Sequence, residues 1–235
     1  MPYVTGGLAG VDAALLRALE SAGADAVEVG IPFSDPVMDG GVIQEASRLA
    51  LEAGTRPADV LDTIREAALT VPVAVMTYYN PIFRQGETAF LAAAAEAGVA
   101  GVIVPDLPVD EAKAWVASSN AASVAPVFLA APGSGAERLR AIAANARGFI
   151  YCVATYGVTG ERAGLARTAE DLVGALRPLT DLPLLVGVGI GTPEQAAQAA
   201  RFADGVIVGS ALVRRLIVGD ADGAMELAAA FRQAL

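Results

Sequence analysis

Two acids, Glu28 and Asp39, carry the chemistry most open to this chain. They stand in the stretch Glu-Val-Gly-Ile-Pro-Phe-Ser-Asp-Pro-Val-Met-Asp-Gly-Gly-Val-Ile-Gln, residues 28–44. Glu28 falls near the end of an apolar, strand-like run, Ala26–Val29, where a carboxylate is costly to bury without a partner or a purpose. Asp39 follows in the loop that leads into the next helical stretch. Two carboxylates converging on one pocket suit acid–base catalysis when their surroundings separate their pKa values. Plainer roles stand beside this one: Glu28 as a structural acid paired with an arginine, and Asp39 as a helix cap. Ser34-Asp35-Pro36 reads as a turn and is assigned no catalytic part.

Residue types that are missing narrow the chemistry further. The chain has no histidine, so neither a histidine base nor a histidine-ligated metal is expected. Its one lysine, Lys113, stands in the helical-looking stretch Asp110–Trp115 and reads as a surface residue, whereas a Schiff base needs a desolvated lysine in the active site. A single cysteine, Cys152, leaves no internal disulfide and fits a reducing cytoplasm. The net charge of −10 argues against nucleic-acid binding, although backbone amides can still bind a small phosphorylated substrate locally. No uninterrupted apolar run approaches the roughly 18–20 residues of a membrane span, and the start does not read as a signal peptide. A cytoplasmic protein is expected.

Glycines supply a second theme. Gly187-Val188-Gly189-Ile190 and Gly209-Ser210 each follow an apolar run, the latter just before the helical Ala211-Leu212-Val213. Such loops form a phosphate site when a helix N-terminus adds its amides, or they are simply tight turns. Gly157-Val158-Thr159-Gly160 reads as a lid with glycine hinges. Tyr151 places a hydroxyl in a strand-like run, either at the site or as a satisfied core tyrosine. Tyr78, Tyr79 and Asn80 end another run and are candidates to line a pocket or a partner surface.

Positioning these residues requires a repeating scaffold. Eight short apolar runs occur, at Tyr3–Thr5, Ala26–Val29, Val73–Thr77, Gly101–Val104, Ala125–Ala130, Phe149–Val153, Leu184–Val186 and Val206–Val208. Amphipathic stretches lie between them, among them Val11–Ser21, Glu87–Ala97, Ala136–Ala146, Ala169–Leu176 and Thr192–Arg201. Continuous apolar runs mark strands buried on both faces, and the hydrophobic fraction of 54% can cover them. The pattern predicts an α/β chain, a single (β/α)8 TIM barrel over residues 1–235, with a doubly wound open sheet as the competing arrangement. The second unit is the longest, with a loop at 30–41 and helical stretches at Val42–Ala53 and Pro57–Ala68. Barrel sites form at the C-terminal ends of strands, which puts Glu28 and Asp39 on the functional face.

These motifs together resemble the tryptophan synthase α subunit family over nearly the whole chain. Glu28–Gln44 is the most specific segment. Pro2-Tyr3-Val4-Thr5, Tyr78-Tyr79-Asn80-Pro81, Val104-Pro105-Asp106-Leu107-Pro108, Phe149-Ile150-Tyr151, Gly157–Gly160, Gly187–Ile190 with Pro193-Glu194-Gln195, and Gly209-Ser210 support it. The resemblance implies a lyase of tryptophan biosynthesis that cleaves indole-3-glycerol phosphate to indole and glyceraldehyde 3-phosphate by retro-aldol chemistry. It implies Glu28 as the acid–base, Asp39 as acceptor of the indole N–H, and Tyr151 as an assisting group. Gly160, Gly189, Gly209 and Ser210 would hold the phosphate, Thr159 would add to substrate binding, and Tyr3, Met76, Tyr78 and Ile103 would wall the indole. No cofactor is implied for this chain. Pyridoxal phosphate would sit on a β subunit partner, in an α2β2 assembly contacted through the loops at Ser34–Gly41, Asn80–Gln85 and Gly157–Gly160.

The chain departs from the family pattern at several points. It begins at the first strand, without the helix that usually closes the barrel floor, so either the start is truncated or the floor is left open at a cost in stability. Gly6-Gly7-Leu8-Ala9 replaces the usual Ala-Gly-Asp-Pro, and Met38 and Gly41 flank Asp39 in place of Ala and Pro. Pro132-Gly133-Ser134-Gly135 replaces a threonine-rich loop, and Thr155 stands where arginine is common. Rival readings are a free-standing indole-releasing lyase, a weakly catalytic subunit that chiefly activates its β partner, and another phosphate-binding barrel such as an isomerase.

Overall fold

The computed structural model describes the backbone of residues 1–153, 162–187 and 189–235, and the side chains of these apart from 162–167. The strands are β1 (Tyr3–Thr5), β2 (Val27–Gly30), β3 (Val73–Met76), β4 (Val99–Ile103), β5 (Ala125–Ala130), β6 (Ile150–Val153), β7 (Leu184–Gly187) and β8 (Gly205–Val206). All neighbours pair in parallel and in chain order. The sheet then closes on itself. The Tyr3 N–H donates to the Val208 carbonyl at 2.8 Å and the Val208 N–H to the Met1 carbonyl at 3.0 Å, with Pro2 and Val208 bridged. This closure makes the fold the (β/α)8 barrel expected from the sequence and rules out an open sheet.

Side-chain alternation along each strand separates two cores. Val27 and Val29 of β2 join the large layer between strands and helices, so Glu28 and Gly30 face the barrel axis. Ala74, Ile103 and Val127, with Met76, Leu129, Phe149 and Tyr151 against them, make a second cluster inside the barrel. Being covered on both faces is why these strands read as unbroken apolar runs.

Eleven helices occur among the described residues: α1 (Ala13–Ser21), α2 (Gly41–Glu52), α3 (Pro57–Ala67), α4 (Tyr79–Gln85), α5 (Glu87–Glu96), α6 (Lys113–Ala121), α7 (Ala136–Asn145), α8 (Arg162–Leu176), α9 (Pro193–Ala199), α10 (Ser210–Ile217) and α11 (Ala221–Ala234). Lys113 is exposed at the start of α6, as its setting in the sequence predicts. Three features differ from the sequence reading. β3 ends at Met76, and Tyr79 and Asn80 belong to α4, because the Asp106 carboxylate accepts from the Tyr79 N–H at 2.8 Å and turns the chain there. α8 begins well before Ala169. α11 is an extra helix, capped by Asp220, whose carboxylate accepts from the Gly223 N–H at 3.0 Å.

At the N-terminal end of the strands the barrel holds an apolar cavity of about 270 Å³, lined by residues including Ala74, Gly101, Ala125, Phe149 and Leu185. This cavity marks the floor of the barrel.

Candidate active site

The second βα unit brings the two acids to the opposite end of the barrel. Glu28 is 1% exposed, and its Oε2 has no hydrogen-bond partner among the described residues. Among the described residues the ion pairs involve other acids, and none includes Glu28. The plainer role as a structural ion-pair member therefore has no support here. Burial pushes the Glu28 carboxyl up to about 8; the amino terminus pulls it down, and the charge of Asp39 adds to the rise. A carboxyl so placed is protonated at neutral pH and can act as an acid.

Asp39 is half-buried. The cap position of α2 is taken by Gly40, which makes no side-chain cap bond, and Asp39 offers only its main-chain carbonyl, accepting from Gln44 Nε2 at 2.8 Å. Its carboxylate is thus free of the capping role. Burial lifts it to about 6, opposed by the neighbouring Tyr78 hydroxyl. At neutral pH the pair holds one protonated acid and one carboxylate, the division of labour that acid–base chemistry needs.

Aromatic side chains from two other strands and from the head of α4 enclose the acids. The Tyr3 hydroxyl lies 3.4 Å from Thr5 Oγ1, and Tyr151 packs in the interior cluster with Met76 and Ile103. Burial, then the nearby charge of Glu28, raises the Tyr151 phenol well above its ordinary range, so it stays a neutral hydroxyl. Two glycines make room for these rings. A Cβ on Gly30 would lie 2.7 Å from Tyr3 Cζ, and one on Gly187 would lie 2.6 Å from Tyr151 Cζ. The structure thus gathers Glu28, Asp39, Tyr3, Met76, Tyr78, Ile103 and Tyr151 around one end of the barrel. Tyr78 lies at the head of α4, not within β3.

One of the glycine loops lies beside them: a Cβ on Gly209 would meet Tyr3 Cδ1 at 3.3 Å. Gly189 is exposed and has φ +87°, a backbone that side chains rarely adopt. Gly209 is the N-cap of α10, and its carbonyl accepts from Leu212 and Val213. The first amides of α10, at Ser210 and Ala211, therefore have no acceptor within the helix and offer an anion site. By contrast, the N-terminus of α9 is already satisfied. Gln195 Oε1 accepts from the Gly191 N–H at 2.7 Å and the Thr192 N–H at 3.2 Å. The lid at Gly157–Gly160, with Thr155, Thr159 and Gly160, lies outside the described residues.

Two contributors escaped the sequence reading, Phe33 and Asp106. Phe33 stacks on Tyr78 with ring centroids 5.1 Å apart, and Asp106 orders the start of α4. Phe33 stands in the quoted acidic loop and Asp106 in the quoted Val104–Pro108 segment, but their partners are distant in sequence and leave no local pattern.

A closed parallel barrel with a buried carboxyl raised to about 8, a second acid and free helix N-terminal amides toward its mouth is the arrangement of an enzyme of the (β/α)8 class. The sequence model of the tryptophan synthase alpha chain family matches residues 1–233. The tryptophan synthase alpha chain of Streptomyces coelicolor is 51% identical over 95% of this chain and 81% of its own length. That of Rippkaea orientalis is 42% identical over 100% of this chain and 90% of its own. Among solved structures, tryptophan synthase of Mycobacterium tuberculosis superposes with a TM-score of 0.91 at 41% identity, covering 99% of this chain and 90% of that one. The alpha subunit of Legionella pneumophila gives 0.88 at 36%, with 99% and 90% covered. The chain belongs to the tryptophan synthase alpha chain family, and it is a lyase of tryptophan biosynthesis in the α-subunit role.

Proposed function

We propose that the chain cleaves indole-3-glycerol phosphate to indole and glyceraldehyde 3-phosphate, with Glu28 and Asp39 as the catalytic pair. The observation that carries this reading is the buried Glu28, protonated at neutral pH. In the first step Glu28 gives its proton to C3 of the indole ring, which leaves positive charge on the ring nitrogen. The Asp39 carboxylate accepts the ring N–H and stabilises that charge where it develops. The Glu28 carboxylate then takes the proton of the glycerol hydroxyl as the carbon–carbon bond breaks. The bond electrons return to the ring, a C=O forms on the leaving aldehyde, and Glu28 ends protonated as it began. Tyr151 assists beside Glu28 as a neutral hydroxyl. Gly189, Gly209 and Ser210 hold the phosphate through backbone amides, and Gly160 and Thr159 complete the substrate site. Tyr3, Met76, Tyr78 and Ile103 form the indole walls.

A β subunit is the partner this reading calls for, in an α2β2 assembly, with pyridoxal phosphate on that partner and no cofactor on this chain. Val37, Met38 and Phe83 are large apolar side chains left 77%, 58% and 70% exposed on the loop after β2 and on α4, and they fit the contact surface expected from the sequence. Among the described residues no helix is long and apolar enough to cross a membrane, and the cytoplasm is the compartment we assign. Family membership favours the α-subunit role over a free-standing lyase or a mere activator.

Indole release from indole-3-glycerol phosphate tests the reading, in the chain and its Glu28→Gln variant, each with and without a β subunit. Release should rise with the partner and fall by about a hundredfold or more in the variant. No indole from folded protein under either condition overturns it, and a rate that Glu28→Gln leaves unchanged removes Glu28 from the mechanism.

A further inference from the structure

The loop between β2 and α2 presents Asp39, yet it has little structure of its own. From Ile31 to Gly40 it contains no helix or strand. Its internal side-chain bond joins Ser34 to Asp35 at 2.6 Å on the exposed surface. Its ends are held through the backbone, the Ile31 N–H donating to the Met76 carbonyl at 2.8 Å and Gln44 Nε2 to the Asp39 carbonyl at 2.8 Å, and a residue from another unit reaches across it. The ring of Tyr78 stacks on Phe33 near the start of the loop, at 5.1 Å between centroids and 27° between planes. Near the end of the loop, the Tyr78 hydroxyl accepts from the Met38 N–H at 3.0 Å and stands beside the Asp39 carboxylate, to which its own proton can be given. Tyr78 itself is fixed. It is 2% exposed, and the next residue is held by the Asp106 carboxylate through the Tyr79 N–H, while the Tyr79 hydroxyl donates to Glu87 Oε1 at 2.9 Å.

We propose that Tyr78 is a positioning residue, a clasp that grips the β2–α2 loop near both ends and holds Asp39 toward the barrel axis before substrate arrives. This rests on the reading above that Asp39 meets the substrate, and it gives Tyr78 a task beyond walling the indole. A wall needs only the ring, whereas the clasp needs the hydroxyl. The groups near Asp39 are the Tyr78 hydroxyl at the head of α4, Glu28 from β2, Tyr3 from β1 and Tyr151 from β6. Of these, Tyr78 is the one whose hydrogen bond favours the charged form of Asp39.

Tyr78→Phe keeps the buried ring and removes only the hydroxyl. In the folded chain, amide hydrogen exchange at Met38 should quicken by about tenfold, the worth of a lost bond to a partly buried group. The rate constant kcat should fall by about tenfold while KM changes by less than about threefold, since positioning is lost and the apolar wall is kept. The acid limb of kcat/KM should move to higher pH, because Asp39 loses a donor to its charged form. Unchanged exchange at Met38 overturns the clasp. So does a loss confined to KM with the acid limb in place, which would mark Tyr78 as a wall alone. Phe33→Leu supplies the second arm: it loosens the stack and leaves the hydroxyl, so the acid limb should stay where it is, and a shift equal to that of Tyr78→Phe would refute the assignment to the hydroxyl. If the wild-type chain released no indole, the proposed reaction would fail, while exchange at Met38 would still decide the clasp.

Discussion

Glu28 carries its function as a cost to the fold. Its carboxyl moves from 4.5 to about 8 on folding, so between these values the native state binds a proton that the unfolded chain has released. Stability is then fully present below about 4.5 and is lost as pH rises toward about 8. Glu28→Gln does not titrate, so its thermal midpoint should overtake that of the wild type progressively from pH 5 to pH 8, the same variant that loses activity. Parallel unfolding curves for the two proteins across that range would contradict the buried-acid assignment. Asp39 argues in the complementary direction for catalysis, since it must be ionised where Glu28 must be protonated. The kcat/KM profile should therefore be a bell with limbs near about 6 and about 8, macroscopic values of the coupled pair. Asp39→Asn should lower kcat/KM by about ten- to a hundredfold and erase the acid limb. Glu28 was legible in the sequence because a charge inside an apolar strand stands out. The role of Tyr78 was not, because its hydroxyl is met by the backbone N–H of Met38, a donor that nearly every residue type supplies.

At the scale of elements, the glycines that end β2 and β7 matter as much as the side chains they face. Gly30 pairs in register with Thr5 and Met76, yet its missing side chain is required by Tyr3, whose Cζ and Cε2 would stand 2.7 and 2.9 Å from a Cβ there. Gly30→Ala should destabilise the barrel by about 1–3 kcal/mol, the usual cost of overpacking a filled interior, read from the midpoint of urea unfolding. Adding Tyr3→Phe should recover only part of the loss, because the ring carbons still crowd the new methyl after the hydroxyl has gone. Full recovery would mean that the hydroxyl alone sets the packing. The strands themselves were readable, since burial on both faces writes an unbroken apolar run. The helices missed were those with weak stripes. Most of α11 is alanine and half-exposed residues, with Gly223, Ala224 and Phe231 its buried positions, and α4 is a single short element opened by Asp106 from the next βα loop.

Across the whole molecule the two ends of the barrel divide their tasks. The mouth holds polar groups under electrostatic strain, and the floor holds small residues around an apolar cavity of about 270 Å³. In barrels of this class the C-terminal face serves the reaction and the N-terminal face serves stability, so a change at the floor should be read in stability alone. Ala125 is the place to test this. It is a half-buried residue at the start of β5, lines the cavity, and pairs with Gly101 in register. Two added methyl groups fill space that no other side chain uses, and a β-branched residue suits a strand. Ala125→Val should raise stability by about 1 kcal/mol through apolar burial, a rise of about 2–4 °C in Tm for a domain of this size. Indole release should be unchanged, because Ala125 faces the floor cavity, whose lining includes neither Glu28 nor Asp39. A lower Tm would show that the floor is already close-packed around Gly101, whose own Cβ would meet the Ala125 carbonyl at 3.1 Å. A change in turnover at equal stability would show instead that packing at the floor reaches the carboxylates through the interior cluster, and the division between the two ends would have to be given up.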